Sequence, residues 1–204
     1  TSNDENAEHY YATGGNKTIT LTANTIDGCS DDDIKNIELG DAPVVDFSWE
    51  NECFGVSPTI FINASDDTTA VYWDFGDGTN SSDVNPNHMF DDATTYDVTM
   101  EVINEFGCSS EITKTVSIRP FISQYPYLND FEVVDQSWVV DVNAQNSSWE
   151  VGTPEGTIIN SAYSGDNCWM TGLVNSYQNE EKSAVLSPCF DFTDSDKPMI
   201  KMHI

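Results

Sequence analysis

Cationic side chains are scarce in this chain: seven Lys and Arg stand against 35 Asp and Glu, a formal net charge of -28 over 204 residues. A polyanion with so few ammonium and guanidinium groups repels nucleic acid, anionic membrane and phosphate-rich ligands, so none of these is an expected partner. No apolar run approaches the length of a membrane span, and no basic, apolar secretory leader opens the chain. Histidine is limited to three residues and no C-x-x-C pair occurs, which removes the usual zinc frameworks. H-E-x-x-H, G-x-S-x-G, phosphate-loop and dinucleotide fingerprints are missing as well. With no nucleophile–base pair in view, the chain reads as a non-enzyme. A sustained helical period is also lacking, which leaves strands to build the fold.

What is present suffices for a core: 38% hydrophobic residues, 11% of the chain aromatic, too rich for disorder despite the charge. The stretch Val71-Tyr72-Trp73-Asp74-Phe75 alternates apolar and polar positions, the period of a strand with one buried face. Gly76-Asp77-Gly78 follows, residues that tolerate positive φ, so the strand should reverse sharply there. Further strands are expected at Val45, Phe47 and Trp49, around Ile60 and Ile62, over Tyr96 to Val102, and over Ile112 to Ile118 with Val116 and Ile118 inward. Short alternating strands split by Gly, Asn, Asp and Pro predict an all-β, antiparallel sandwich.

Residues 9–39 repeat residues 88–118. His88 and Cys108 follow His9 and Cys29 by 79 positions, and at that offset Ile19 falls on Val98, Leu21 on Met100, Ala23 on Val102 and Lys35 on Lys114. The first copy has no counterpart of the Trp73 strand. Four ordered motifs, W-D-F-G-D-G-T (Trp73 to Thr79), N-P-x-H-x-F (Asn85 to Phe90), T-Y-x-V-T-x-x-V (Thr95 to Val102) and N-x-x-G-C (Asn104 to Cys108), resemble the PKD (polycystic kidney disease) family of β-sandwich modules. The resemblance implies a binding or spacer module. It divides the chain into 1–41, the C-terminal part of one PKD-like module; 42–120, a complete one; and 121–204, where the character changes.

In that last segment the motifs Asp130-Phe131-Glu132, Gln136-Ser137-Trp138, Ser148-Trp149-Glu150, Gly165 to Thr171 and Leu186 to Phe192 resemble MAM-like jelly rolls and cleaved-adhesin modules of bacterial surface proteins. Only the N-terminal part of such a domain is matched, so the expected whole is tandem Ig-like PKD sandwiches followed by a partial jelly roll, with the natural chain continuing at both ends. The combination resembles secreted proteins of Bacteroidetes exported by the type IX system. It implies an extracellular, secreted or cell-surface stalk and adhesion segment, with a glycan or protein surface as ligand of the jelly roll. The alternatives are an accessory region of a secreted protease or polysaccharide hydrolase, or a filament subunit. MAM-like relatives imply a calcium ion held by Asp130, Glu132, Asp166 and Asp191, hard oxygen donors that suit calcium rather than a soft metal.

Five cysteines leave one over. Cys53 precedes the Ile60 strand and Cys108 follows the Val102 strand, so a Cys53–Cys108 pair is expected to close the second module. Cys168 and Cys189 flank neighbouring strand motifs and form the other expected pair, with Cys29 unpaired; buried free thiols are the alternative. Pairing implies an oxidising compartment. Asp74 and Asp77 mimic a glycosidase carboxylate pair, but their place in a Gly-rich reversal predicts turn-capping acids. His9 and His88, at equivalent positions of the repeat, are expected to bond loops rather than substrates. Glu180-Glu181-Lys182 reads as a solvated loop.

Overall fold

The computed structural model describes residues 2–133, 137–174, 177 and 179–203; Thr1, Gln136 and Ile204 lie outside the described residues. All described regular elements are strands, and three stretches of the chain differ in how those strands are covered.

The first stretch is a single hairpin, β1 (Gly15–Asn24) against β2 (Ser30–Leu39), antiparallel throughout. Its reversal is held by Gly28 N–H to Thr25 O (3.1 Å), Thr25 N–H to Cys29 O (2.9 Å) and Cys29 N–H to the Thr25 hydroxyl (3.2 Å).

The second stretch is a two-sheet sandwich. One sheet orders β3 (Phe47–Glu50), β4 (Thr59–Asn63) and β7 (Asn87–His88); the other orders β6 (Asn80–Ser81), β5 (Ala70–Asp74), β8 (Thr95–Ile103) and β9 (Ser109–Ser117). Trp73, Phe47, Phe61, Val98, Met100, Val102 and Val116 are at most 1% exposed, and they meet between the sheets as inward residues of alternating strands. Trp73 sits at the centre, 5.1 Å from the Phe47 ring and 5.4 Å from the Phe61 ring, with its indole N–H donating to Asp83 O at 3.0 Å. The Trp73, Tyr96–Val102 and Ile112–Ile118 strands stand where the apolar alternation places them. The second predicted strand differs in parity: β4 turns Thr59 and Phe61 inward and leaves Ile62 38% exposed. Here the bulkier aromatic fills the central void and the β-branched pair is displaced.

The turn Asn104 to Cys108 repeats the first hairpin's reversal. Gly107 N–H donates to Asn104 O and Asn104 N–H to Cys108 O, each at 3.0 Å, with Asn104 Oδ1 accepting from Cys108 N–H as Thr25 does from Cys29. The two hairpins touch end to end: Asn104 Nδ2 donates to Asp41 O at 2.7 Å. Gly40 lies so close to Phe106 that a Cβ there would stand 2.3 Å from the Phe106 Cβ.

In the third stretch the strands are short pairs: β10 (Phe121–Ile122) with β15 (Cys189–Phe190), parallel; β11 (Val139–Val140) with β14 (Val185–Leu186); and β12 (Trp149–Gly152) with β13 (Cys168–Thr171), both antiparallel. Aromatic contacts tie them, with Tyr127 5.3 Å from Phe190 and Tyr125 5.6 Å from Phe192. Leu173 and Pro188 are buried, but the stretch contributes nothing to the central core.

Candidate functional site

The Asp74–His88 region sits at the β5–β6 reversal. Gly76 has φ 75°, and a Cβ there would stand 2.6 Å from Asp97 O, so the turn accepts glycine alone. Asp74 Oδ1 accepts Gly76 N–H at 2.9 Å, and Asp77 Oδ1 accepts both the N–H (2.9 Å) and the hydroxyl (2.6 Å) of Thr79. His88 Nε2 lies 2.6 Å from Asp77 Oδ2, and its ring stacks on Phe75 at 4.0 Å. Burial works against ionisation of Asp77, yet the hydrogen bonds from Thr79 and His88 outweigh it and hold the carboxyl below its ordinary value. Asp77 commits one carboxylate oxygen to Thr79 and the other to His88, and Asp74 commits Oδ1 to the Gly76 N–H of the turn. Trp73, Asp74, Phe75, Gly76, Asp77, Gly78 and His88 therefore form a structural clasp that binds β7 to the β5 reversal.

The cysteine pairing differs from expectation. Cys53 is joined to Cys189, with Cα atoms 5.8 Å apart, while Cys108 and Cys168 are free, as is Cys29. Neither the Cys53–Cys108 nor the Cys168–Cys189 bridge forms. The reason is distance: Cys108 occupies the β8–β9 turn beside Gly40, whereas Cys53 bridges to Arg119 beyond the far end of β9. Nine strand residues at roughly 3.3 Å each separate the two levels, far beyond disulfide reach. Cys168, in β13 opposite Gly152, is half-buried and burial raises its thiol pKa.

The Cys53–Cys189 bridge is the centre of a joint between the sandwich and the third stretch. Arg119 N–H donates to Glu52 O (2.7 Å) and Phe54 N–H to Arg119 O (2.9 Å), pinning the loop that carries Cys53. From the same residue the guanidinium reaches across, Nη1 to Ser187 O at 2.9 Å and Nη2 to Glu52 Oε2 at 3.4 Å. Glu52 Oε1 in turn accepts the Trp49 indole N–H at 2.8 Å. Cys189 N–H donates to Pro120 O at 2.9 Å, and β10 pairs with β15 from there. An open cleft of about 490 Å³ lies beside this joint, lined by Trp49, Glu52, Lys114 and Thr115 of the sandwich and by Val142 and Asn143.

Residues 41–119 match the family model described as the PKD domain. This segment is a PKD module. Among solved structures, the PKD1 domain of Vibrio anguillarum Epp is 29% identical, covering 38% of this chain and 94% of that one at a TM-score of 0.35. The PKD1 domain from the Vibrio cholerae metalloprotease PrtV is 28% identical over 38% and 96%, with the same TM-score of 0.35. A structure of carbohydrate-binding modules from the β-sandwich superfamily is 21% identical and covers 63% of this chain at a TM-score of 0.38; the match spans 52% of that chain.

The calcium donors expected beyond the PKD module are not gathered. Asp130-Phe131-Glu132 is a turn, with Phe131 at φ 62°, rather than the strand that would aim two carboxylates to one side. Glu132 Oε1 accepts the backbone N–H groups of Asp166 and Asn167, both at 2.9 Å; Asp130 Oδ1 accepts Glu132 N–H at 3.1 Å. Asp191 Oδ1 accepts from Thr193, whose hydrogen bonds hold the Asp191 carboxyl below its ordinary value. Among the described residues no three His, Cys, Asp or Glu side chains are placed to share a metal ion, so the four residues do not fit a calcium shell.

Glu181 is the polar anchor that sequence reading passed over. Its carboxylate accepts Ser148 N–H (3.0 Å) and the Ser148 hydroxyl (2.7 Å), closing the third stretch against β12 rather than lying in a solvated loop. The only hint in the sequence is the pair of hydroxyl residues before Trp149, too common a pattern to single out.

Proposed function

We propose that the chain is a non-catalytic, extracellular stalk and adhesion segment in which the PKD module acts as a stiff spacer coupled to the stretch that follows it. The observation that carries this reading is the joint: a disulfide between residues 136 apart in sequence, braced by Arg119 to Ser187 O and by the β10–β15 pairing. A bare linker transmits orientation poorly, whereas a covalent bridge beside a bidirectional hydrogen-bonded arginine fixes one module's attitude on the other. The disulfide also favours an oxidising, extracellular setting. In the Asp74–His88 clasp the Asp77 carboxylate is committed to Thr79 and His88, which favours a structural role for these residues.

In this reading, residues 1–41 belong to a preceding PKD-like module and residues 121–204 to a MAM-like jelly roll on a secreted bacterial protein. The cleft beside Trp49, Glu52 and Asn143 is the contact proposed for a glycan or protein ligand. An aromatic edge and several hydrogen-bonding groups suit a sugar face, and the weak, open geometry suits multivalent rather than tight binding.

Small-angle scattering on the oxidised chain and on Cys53→Ser/Cys189→Ser tests the spacer role. The oxidised chain should scatter as one rigid particle over residues 42–204, and the double variant should show a broadened distance distribution. A flexible ensemble in the oxidised chain would overturn the stiff-spacer reading.

A further inference from the structure

The β1–β2 hairpin carries an apolar face that the PKD module shows how to cover. Cross-strand partners share a face, so Ile19 opposite Lys35, Leu21 opposite Asp33 and Lys17 opposite Ile37 lie on one side. At the offset of the repeat these positions are Val98 opposite Lys114 and Met100 opposite Ile112, again cross-strand partners. Val98 and Met100 are fully buried, 0% exposed, whereas Ile19 is 43% and Leu21 67% exposed. The same hairpin thus has its covering in one copy and lacks it in the other.

Charge identifies what the covering would be. In the PKD module Lys114 Nζ reaches the first strand of the opposite sheet, donating to Asp46 Oδ1 (2.6 Å) and Phe47 O (2.5 Å), with the Phe47 ring 5.0 Å from the ammonium. Lys35, its counterpart and one of only seven cationic residues of the chain, is exposed and forms no ion pair among the described residues. Lys17 and Lys35 occupy one end of the face, while Asp31 and Asp33 occupy the other. An incoming carboxylate is therefore drawn to the Lys35 end and repelled from the turn end, which sets the direction of docking.

We propose that this face is a docking surface for an extended acidic–aromatic segment, a carboxylate followed by alternating aromatic residues as in Asp46-Phe47-Ser48-Trp49, anchored on Lys35. The proposal rests on residues 1–41 being the latter part of a PKD-like module. Leu21 and Ile19 take the aromatic rings into a cluster of the kind Met100 and Val98 form with Phe47 and Trp49, and the Lys35 ammonium takes the carboxylate and the next carbonyl.

The test appends a copy of Pro43–Thr79 to the N-terminus of the full chain, where the repeat register brings it over β1 and β2, and measures amide hydrogen exchange. Amides of β1 and β2 should exchange at least about 100-fold more slowly than in the unextended chain, and Lys35→Ala in the extended chain should return at least about tenfold of that protection. Protection indifferent to Lys35→Ala overturns the anchored docking while leaving the half-module reading intact; unchanged β1 exchange overturns both. A second measurement does not depend on the extension folding. The unextended chain is titrated with a synthetic peptide of the Pro43–Asn51 sequence, and with its Asp46→Asn form, while chemical shifts of Leu21 and Lys35 are followed. Saturable shifts with the first peptide that weaken at least threefold with the second support the proposal. Equal shifts with both, or none, overturn it. Because Leu21 is already exposed, Leu21→Lys leaves the hairpin formed and should abolish the shifts.

Discussion

Trp73 shows what a single side chain supplies. Its ring is fully buried between Phe47 and Phe61, and its N–H is satisfied by Asp83 O, so truncation removes both the packing and a hydrogen bond that ties β5 to the segment after β6. Trp73→Ala is expected to lower the stability of the PKD module by about 3–5 kcal/mol in denaturant unfolding, with the m-value unchanged. A second residue-scale consequence concerns acid. The Asp77 carboxyl is held below its ordinary value in the fold, so its stabilising contribution is complete above the ordinary Asp pKa and is lost as pH falls through the folded value. The wild-type chain should therefore lose stability on acidification in that range, and Asp77→Asn should be less stable at neutral pH but flatter with falling pH. Matching acid slopes for the two chains would mean that the clasp with His88 and Thr79 carries no linkage.

At the scale of the elements, much was legible and the exceptions have physical causes. Alternation located β5, β8 and β9 because each has one face against the core and one toward solvent, the condition under which period-2 patterning is informative. Parity in β4 was not legible, since Thr-Ile-Phe-Ile offers apolar residues on both faces and only the void opposite Trp73 selects Phe61. The W-D-F-G-D-G reversal was legible because Gly76 has no alternative: Gly76→Ala places a Cβ 2.6 Å from Asp97 O at φ 75° and should destabilise by at least about 1–2 kcal/mol. The expected calcium donors are not gathered into a group of three or more among the described residues. The segment turns at Phe131, and Glu132 is used to hold the Asp166–Asn167 backbone. Melting midpoints with calcium and with chelator should accordingly agree within about 1 °C. A calcium-dependent rise removed by Glu132→Gln would restore a metal role for this turn.

For the whole molecule, the cysteines carry the lesson that pairing is a property of assembly. Each module taken alone suggests a bridge within itself, and the repeat reinforces that by equating Cys29 with Cys108; neither cue contains the position of the third stretch on the sandwich. Arg119 is the residue from which that position could have been suspected, because a lone arginine at a module boundary in so acidic a chain has many acceptors to choose from. It uses Glu52 on one side and Ser187 O on the other, and its Nε is buried without a partner. Closing a loop of 136 residues restricts the unfolded chain by about 5 kcal/mol in the entropic treatment. That stabilisation falls on the joint and on the short strand pairs beyond it, since the PKD module holds its own aromatic core without the bridge. Reduction, or Cys53→Ser, should therefore separate one thermal transition into two. The PKD transition should move little, and the transition of residues 121–204 should fall by 10 °C or more, on the order expected for a few kcal/mol in a domain of that size. Arg119→Lys should weaken the same lower transition by a smaller amount with the disulfide intact, because an ammonium cannot span Glu52 and Ser187 O together. A single transition that drops uniformly on reduction would mean instead that the bridge stabilises the sandwich itself.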